Sequence, residues 1–136
     1  MDNNNNIFSE ERLQQVLAEA AAARQEAVEI AKLAAKALDD KKAIELNILK
    51  LPTHAVIADC FVVATGTSST HIKSLADEVE FQLSEQAQIK PNHIEGFGNS
   101  SWILLDYGTV IIHIFTKEAR EFYNLERLWN DAEVIS

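Results

Sequence analysis

The chain has one cysteine, four glycines and two prolines in 136 residues. A lone Cys60 rules out an internal disulfide framework and fits a reducing cytosol. So few glycines and prolines, with 47% hydrophobic residues, exclude a low-complexity or disordered chain. No apolar run approaches the roughly 18 residues a membrane span needs. The N-terminus has no basic stretch followed by an apolar one, so we expect no secretory signal and a cytoplasmic protein. The length favours one domain able to bury a core without staples.

Basic residues are also scarce: 12 against 21 acidic, for a net charge of −9. The shortage is greatest in the middle, where residues 43–116 hold 8 acids and 3 bases. Such a chain lacks the footprint that grips naked nucleic acid. A basic protein partner suits it better, because complementary fields steer encounter. The plainer reading is that acidity keeps the protein soluble.

What is there centres on W-I-L-L-D-Y-G-T-V-I-I-H-I-F, Trp102 to Phe115. Its β-branched and aromatic residues suit two strands. Gly108 can take the left-handed conformation that closes a three-residue loop, Asp106-Tyr107-Gly108. That loop sets Trp102 and Leu104 opposite Ile112 and Val110 on one face, and Ile103 and Leu105 with Ile111 on the other. Both faces are apolar, so the hairpin should be covered on both sides.

Around it the pattern reads helix, strand, strand, helix, strand, strand, strand, helix. Met1 to Asn6 should fray. Ser9 is a good N-cap, and Glu10 and Glu11 suit the positive end of the helix that follows. Alanine carries that helix to Leu38. Leu13, Leu17, Ala20, Ala27, Ala31, Ala34 and Leu38 form a seam that Arg24 interrupts. The seam could pack on the chain's own sheet, or its first half could self-associate; a plain surface helix is the simpler reading for residues 10–24. Ala43–Leu51 alternates as a half-exposed strand near an edge, and Ala58–Ala64 is a buried one. Ile72, Leu75, Ala76, Val79 and Leu83 mark the inner face of the second helix, which Pro91 stops. Asn92–Gly96 is a short strand, and Phe97-Gly98-Asn99 turns into the central hairpin. Thr116 caps a last helix with apolar positions Ala119, Phe122, Leu125, Leu128 and Trp129. The expected class is α/β, a mixed sheet of about five strands covered by helices, with a long N-terminal helix.

Residues that could carry chemistry do not assemble into a pattern. Thr65–Thr70 lies between a strand and a helix, where backbone N–H groups favour an anion. It has one glycine and no lysine, so it reads as a hydroxyl-rich helix cap instead. His54, His71, His93 and His113 show no metal-ligand spacing, and Cys60 in a strand reads as an inert core residue. Asp59 and Asp106, at strand ends, could converge on magnesium for nucleotidyl transfer, but no second acid lies two residues from either, and turn and cap chemistry is the simpler reading. We expect no catalytic set, cofactor or metal. Tyr107 at the hairpin tip and Tyr123 on the last helix are hard to bury, whereas Phe122 and Trp129 should pack under the sheet. Tyr, Trp and Arg are common interface anchors.

Several segments in order also resemble a family. They are L-D-D-K-K-A (Leu38 to Ala43), A-D-C-F-V-V-A-T-G-T-S-S-T-H (Ala58 to His71), W-I-L-L-D-Y-G (Trp102 to Gly108), V-I-I-H-I-F (Val110 to Phe115) and R-E-F-Y-N-L-E-R-L-W (Arg120 to Trp129). The chain resembles the bacterial ribosomal silencing factors, related to the plant Iojap protein. Thr109 stands where that family usually has an acidic residue. The resemblance spans residues 27–133, leaving 1–26 as a frayed then helical extension and 134–136 as a tail. It implies a nucleotidyltransferase-like fold without a working catalytic centre. It implies binding to protein fourteen of the large ribosomal subunit, on the face that meets the small subunit, so that subunit joining is blocked and translation falls. The positions matching the family's motifs are Trp102, Asp106, Tyr107, His113, Arg120, Tyr123, Leu125, Glu126 and Trp129. Of these, Trp102, Asp106, Tyr107, Arg120, Tyr123 and Glu126 are the expected contacts with the ribosomal protein. No membrane or sequence-specific nucleic acid is expected as a partner; a homodimer off the ribosome is an open expectation, as is a magnesium-dependent nucleotide-binding enzyme.

Overall fold

The computed structural model describes residues 9–98 and 101–135. The expected fraying of residues 1–6, Asn99 of the turn before the hairpin, and Ser136 of the tail lie outside the described residues.

The alanine-rich stretch forms one helix, α1, Glu10–Asp40. Ser9 caps it: its hydroxyl accepts from the Arg12 N–H at 3.3 Å. The second half buries Ala27, Ala31, Ala34 and Leu38, together with Val28, Ala35 and Ala37. The first half buries nothing, and Leu13, Val16 and Leu17 are exposed. Arg24 marks the change. It leaves the seam to pair with Asp59 at 3.2 Å and to donate to the Leu51 carbonyl.

Strand β1, Ile44–Lys50, follows a tight corner and is bulged between Ile44 and Asn47. Strand β2, Cys60–Gly66, is buried throughout. Helix α2, Ser69–Ala87, buries the five residues its spacing marks, Ile72, Leu75, Ala76, Val79 and Leu83. Strand β3, His93–Glu95, is short and exposed. Strands β4, Trp102–Asp106, and β5, Val110–Thr116, make the central hairpin. Helices α3, Lys117–Tyr123, and α4, Leu125–Leu128, lead to strand β6, Glu133–Val134.

The sheet has six strands in the order β3-β4-β5-β2-β1-β6. Its centre is the parallel pair β2 and β5, and the other pairings are antiparallel. The sixth strand is the addition to the expected five: Val134, assigned to the tail, pairs with Leu49 of β1. Two residues give too weak an alternation to read as a strand. Helices α1 and α2 cover one face, over Ile48, Cys60, Val62, Ala64, Ile103, Leu105, Ile112 and Ile114. The opposite face carries Leu49, Phe61, Val63, Ile111 and Phe115, with Trp102, Leu104, Leu125 and Trp129 partly covered against them. No helix among the described residues is long and apolar enough to cross a membrane.

Two sequence expectations are corrected. The hairpin connection is two residues long, not three: Asp106 belongs to the strand, opposite Ile111, and the Tyr107 N–H donates to the Val110 carbonyl at 2.9 Å. Gly108, at φ +86°, takes the first position of that turn. Trp102 therefore lies opposite Phe115, not Ile112. Because side chains alternate, this slip moves Ile103 and Leu105 to the face of Ile112 and Ile114, beneath the helices. The second correction concerns the last helix. It breaks at Asn124, which is left-handed at φ 47°, and so separates α3 from α4. The break turns Phe122 and Leu128 out to solvent, 80% and 72% exposed, where a continuous helix had placed both on its inner face.

Candidate protein-binding face

The face not covered by α1 and α2 is the one with unusual chemistry. Alternation along β5 puts Ile111, His113 and Phe115 there, and β4 adds Trp102 and Leu104. The Trp102 Nε1–H donates to His113 Nδ1 at 3.2 Å. The neutral ring therefore carries its proton on Nε2. That atom is buried without a hydrogen-bond partner among the described residues. The Phe61 ring meets His113 edge-on, with centroids 4.7 Å apart. Burial pushes the His113 pKa down to about 4, against the opposing pull of Glu126.

The aromatic row continues outward. Trp102 lies on Phe115 at 5.0 Å and on Tyr123 at 4.5 Å. Phe122 meets Tyr123 edge-on at 5.1 Å. On the other flank Trp129 packs edge-on to Phe61 at 5.8 Å, as its expected place under the sheet required. A row of rings thus runs from the buried His113 to the exposed Phe122.

Arg120 fixes the broken helix over this face. It is buried, and it donates to the Glu45 carbonyl of β1, to Thr65 Oγ1 of β2 at 3.0 Å, and to Glu126 Oε2 at 2.5 Å. One guanidinium thus ties α3 and α4 to two neighbouring strands. Burial alone would raise the Glu126 carboxyl, but the Arg120 bond and charge hold it below the usual carboxylate range. The Asn47 amide lies 3.4 Å from the same carboxylate.

The six positions expected as contacts do not form one cluster. Trp102 and Tyr123 touch, and Arg120 and Glu126 are paired beside them. Asp106 and Tyr107 lie at the far end of β4, about 14 Å along the strand from Trp102. Asp106 Oδ1 accepts from the Gly108 N–H at 2.8 Å and so shapes the turn. Tyr107, expected to be hard to bury, is half-buried. It packs against the helix-side core, and its hydroxyl is enclosed without a partner among the described residues. Burial, reinforced by Glu80, pushes that hydroxyl's pKa up. Phe122 and Leu128 were missed as surface residues. The available signal was Asn124, since asparagine readily ends a helix in the left-handed conformation.

The chemical candidates resolve into structural roles. Ser68 caps α2 by accepting from the His71 N–H at 3.0 Å. His71 Nδ1 accepts from the Thr67 N–H at 2.9 Å, and its Nε2 lies 2.8 Å from the Lys41 carbonyl. Thr65–Thr70 is therefore occupied in capping the helix and joining two corners. Asp59 pairs with Arg24. Cys60 is buried, and its enclosure pushes the thiol up, away from the reactive thiolate. No group of three His, Cys, Asp or Glu side chains suited to a metal occurs among the described residues.

The family described as "Ribosomal silencing factor during starvation" matches residues 24–136. The chain belongs to this family. It is 37% identical to the ribosomal silencing factor RsfS of Halalkalibacterium halodurans, over 79% of this chain and 91% of that one. It is 39% identical to the RsfS protein of Bacillus subtilis, over 76% of this chain and 86% of the relative. A crystal structure of a Chromobacterium violaceum protein matches with a TM-score of 0.72 at 34% identity, covering 75% of this chain and 84% of that one. The silencing-factor match begins at residue 24, where Arg24 anchors α1, so the exposed half of that helix lies outside it.

Proposed function

We propose that this chain is a translation repressor that binds the large ribosomal subunit and sterically blocks its joining to the small one. The partner is a basic ribosomal protein, protein fourteen of the large subunit, and the protein works in the cytoplasm without catalysis or cofactor. The observation that carries this reading is the open aromatic face of an acidic member of the silencing-factor family, with Tyr123 packed against Trp102 and 45% exposed. Exposed aromatics on a rigid base are suited to anchor a protein interface. The net charge of −9 attracts a basic partner.

Within that reading the six positions divide the work. Trp102 and Tyr123 touch the partner. Arg120 and Glu126 hold α3 and α4 in position, and Asp106 and Tyr107 keep the hairpin in shape. Off the ribosome, pairing of two copies would use the exposed apolar side of α1 at Leu13, Val16 and Leu17. A nucleotide-binding enzyme gains no support, because Asp59, Asp106 and the Thr65–Thr70 turn are engaged as described.

The test is sedimentation of the purified protein with separated large and small subunits across a salt series. Selective pelleting with the large subunit, weakening as salt rises, is the expected result. Absence of pelleting at low salt would sink the proposal.

A further inference from the structure

We infer that Phe122 and Leu128, on either side of the Asn124 break, are the apolar anchors that grip the basic protein partner. This rests on the ribosome-binding reading above and names two residues outside the six expected contacts. Three observations lead there. First, both side chains are largely exposed, and with Glu121, Tyr123, Asn124 and Arg127 they line a cleft of about 490 Å³. Second, they are held in place. Phe122 rests on Tyr123, which rests on Trp102, and the Arg120–Glu126 pair fixes the two helices to the sheet. An apolar side chain fixed before binding loses little freedom on docking, which favours its use as an anchor.

Third, charge selects the occupant. The lining of the cleft is itself balanced, Glu121 against Arg127, but the chain as a whole carries −9. A second copy would bring the same negative excess and be repelled. A basic protein offering an apolar side chain flanked by lysine or arginine matches both the apolar cleft and the charge of the chain.

The experiment uses the full chain, purified large subunits, and the double substitution Phe122→Ser with Leu128→Ser. Neither side chain belongs to the buried core, so the melting temperature should stay at the wild-type value. Affinity for the large subunit should fall roughly tenfold or more, the scale of an interface hot spot. Val56→Ser, which alters a fully exposed residue in the loop between β1 and β2, should bind as wild type does. Wild-type-like binding by the double variant, beside a wild type that pellets, overturns the inference and leaves the ribosome reading standing. A wild type that does not pellet overturns both. Binding retained by the double variant while a wild-type dimer, seen by light scattering, is lost would assign the cleft to a second copy.

Discussion

Arg120 and Glu126 meet at 2.5 Å across the left-handed break at Asn124, and this pair makes the broken helix a fixed part of the surface. The guanidinium is 9% exposed and the carboxylate 30%, so the pair is shielded from solvent. Removing the carboxylate strands a buried charge. Glu126→Ala should therefore lower unfolding stability by about 3 kcal/mol, with Glu126→Gln losing less. The folded carboxyl pKa is depressed, so this stability is present above the unfolded pKa near 4.5 and is lost as pH falls through the folded value. Urea titrations of the three proteins at neutral pH check the ranking, and equal midpoints would refute it.

His113 gives a separate acid response, because burial lowers its pKa from 6.5 to about 4. Its contribution is fully present above pH 6.5 and is lost progressively down to about pH 4. A shift of that size corresponds to about 3 kcal/mol. His113→Gln keeps an acceptor for the Trp102 indole but cannot titrate in this range. Thermal melts from pH 7 to pH 4 should fall for the wild type and stay flatter for the variant. Parallel curves would remove His113 as the cause.

The long-range consequences of two short turns were the part of the fold hidden from sequence reasoning. The spacing of α2's inner face and the buried β2 run appear in the structure as read, because each is set by the local period of apolar residues. The hairpin register depended on whether Asp106 ended a strand or began a turn, and one such choice decides the face of every residue along β4. In the last helix Asn124 was read as an ordinary helical position, although its backbone is left-handed. That single conformation exchanged roles between Phe122, expected inside, and Tyr123, which rests on Trp102. Arg120 had looked like a surface anchor. Its true role depends on Glu45 and Thr65, which are 75 and 55 residues away and which no local pattern connects to it.

Tyr107 offers a test in which loss of a polar atom should not harm the protein. Its hydroxyl is buried without a hydrogen-bond partner among the described residues, so folding removes it from water with no return. Tyr107→Phe should be neutral or stabilising by up to about 1 kcal/mol. Its affinity for the large subunit should match that of the wild type. A loss of 2 kcal/mol or so in chemical denaturation would reveal a bond to that hydroxyl in solution.

Gly96 permits a contact that no other residue could. It sits at φ +84°, and an added Cβ would fall 1.9 Å from the Trp102 carbonyl oxygen, a backbone atom. Gly108 is also left-handed, at φ +86°, but its Cβ would meet only the Asn92 side chain at 3.4 Å. Gly108→Ala should therefore lose only the left-handed penalty of about 1–2 kcal/mol. Gly96→Ala adds a backbone clash and should lose clearly more, loosening β3 from β4. Stability curves for the two variants supply the comparison, and hydrogen exchange along β3 locates the damage. An equal loss in both would show that the close approach at Gly96 relaxes readily.

The exposed half of α1 should be dispensable for the fold. Residues 10–23 are exposed along a helical length of about 21 Å, whereas the core begins at Ala27. Deleting residues 1–20 spares Arg24 and its bonds to Asp59 and Leu51, which hold the loop between β1 and β2 against the helix. The shortened chain should keep its unfolding free energy within about 0.5 kcal/mol, because residues 9–20, the described part of the deleted segment, are all exposed. Circular dichroism should lose helical signal in proportion to the residues removed. Arg24→Ala in the full chain should be more damaging, because it unpairs the half-buried Asp59 and leaves the Leu51 carbonyl without its donor. If the deletion proves the more destabilising of the two, then the first half of α1 is packed in solution, and pairing of two copies there becomes the first explanation to test by light scattering.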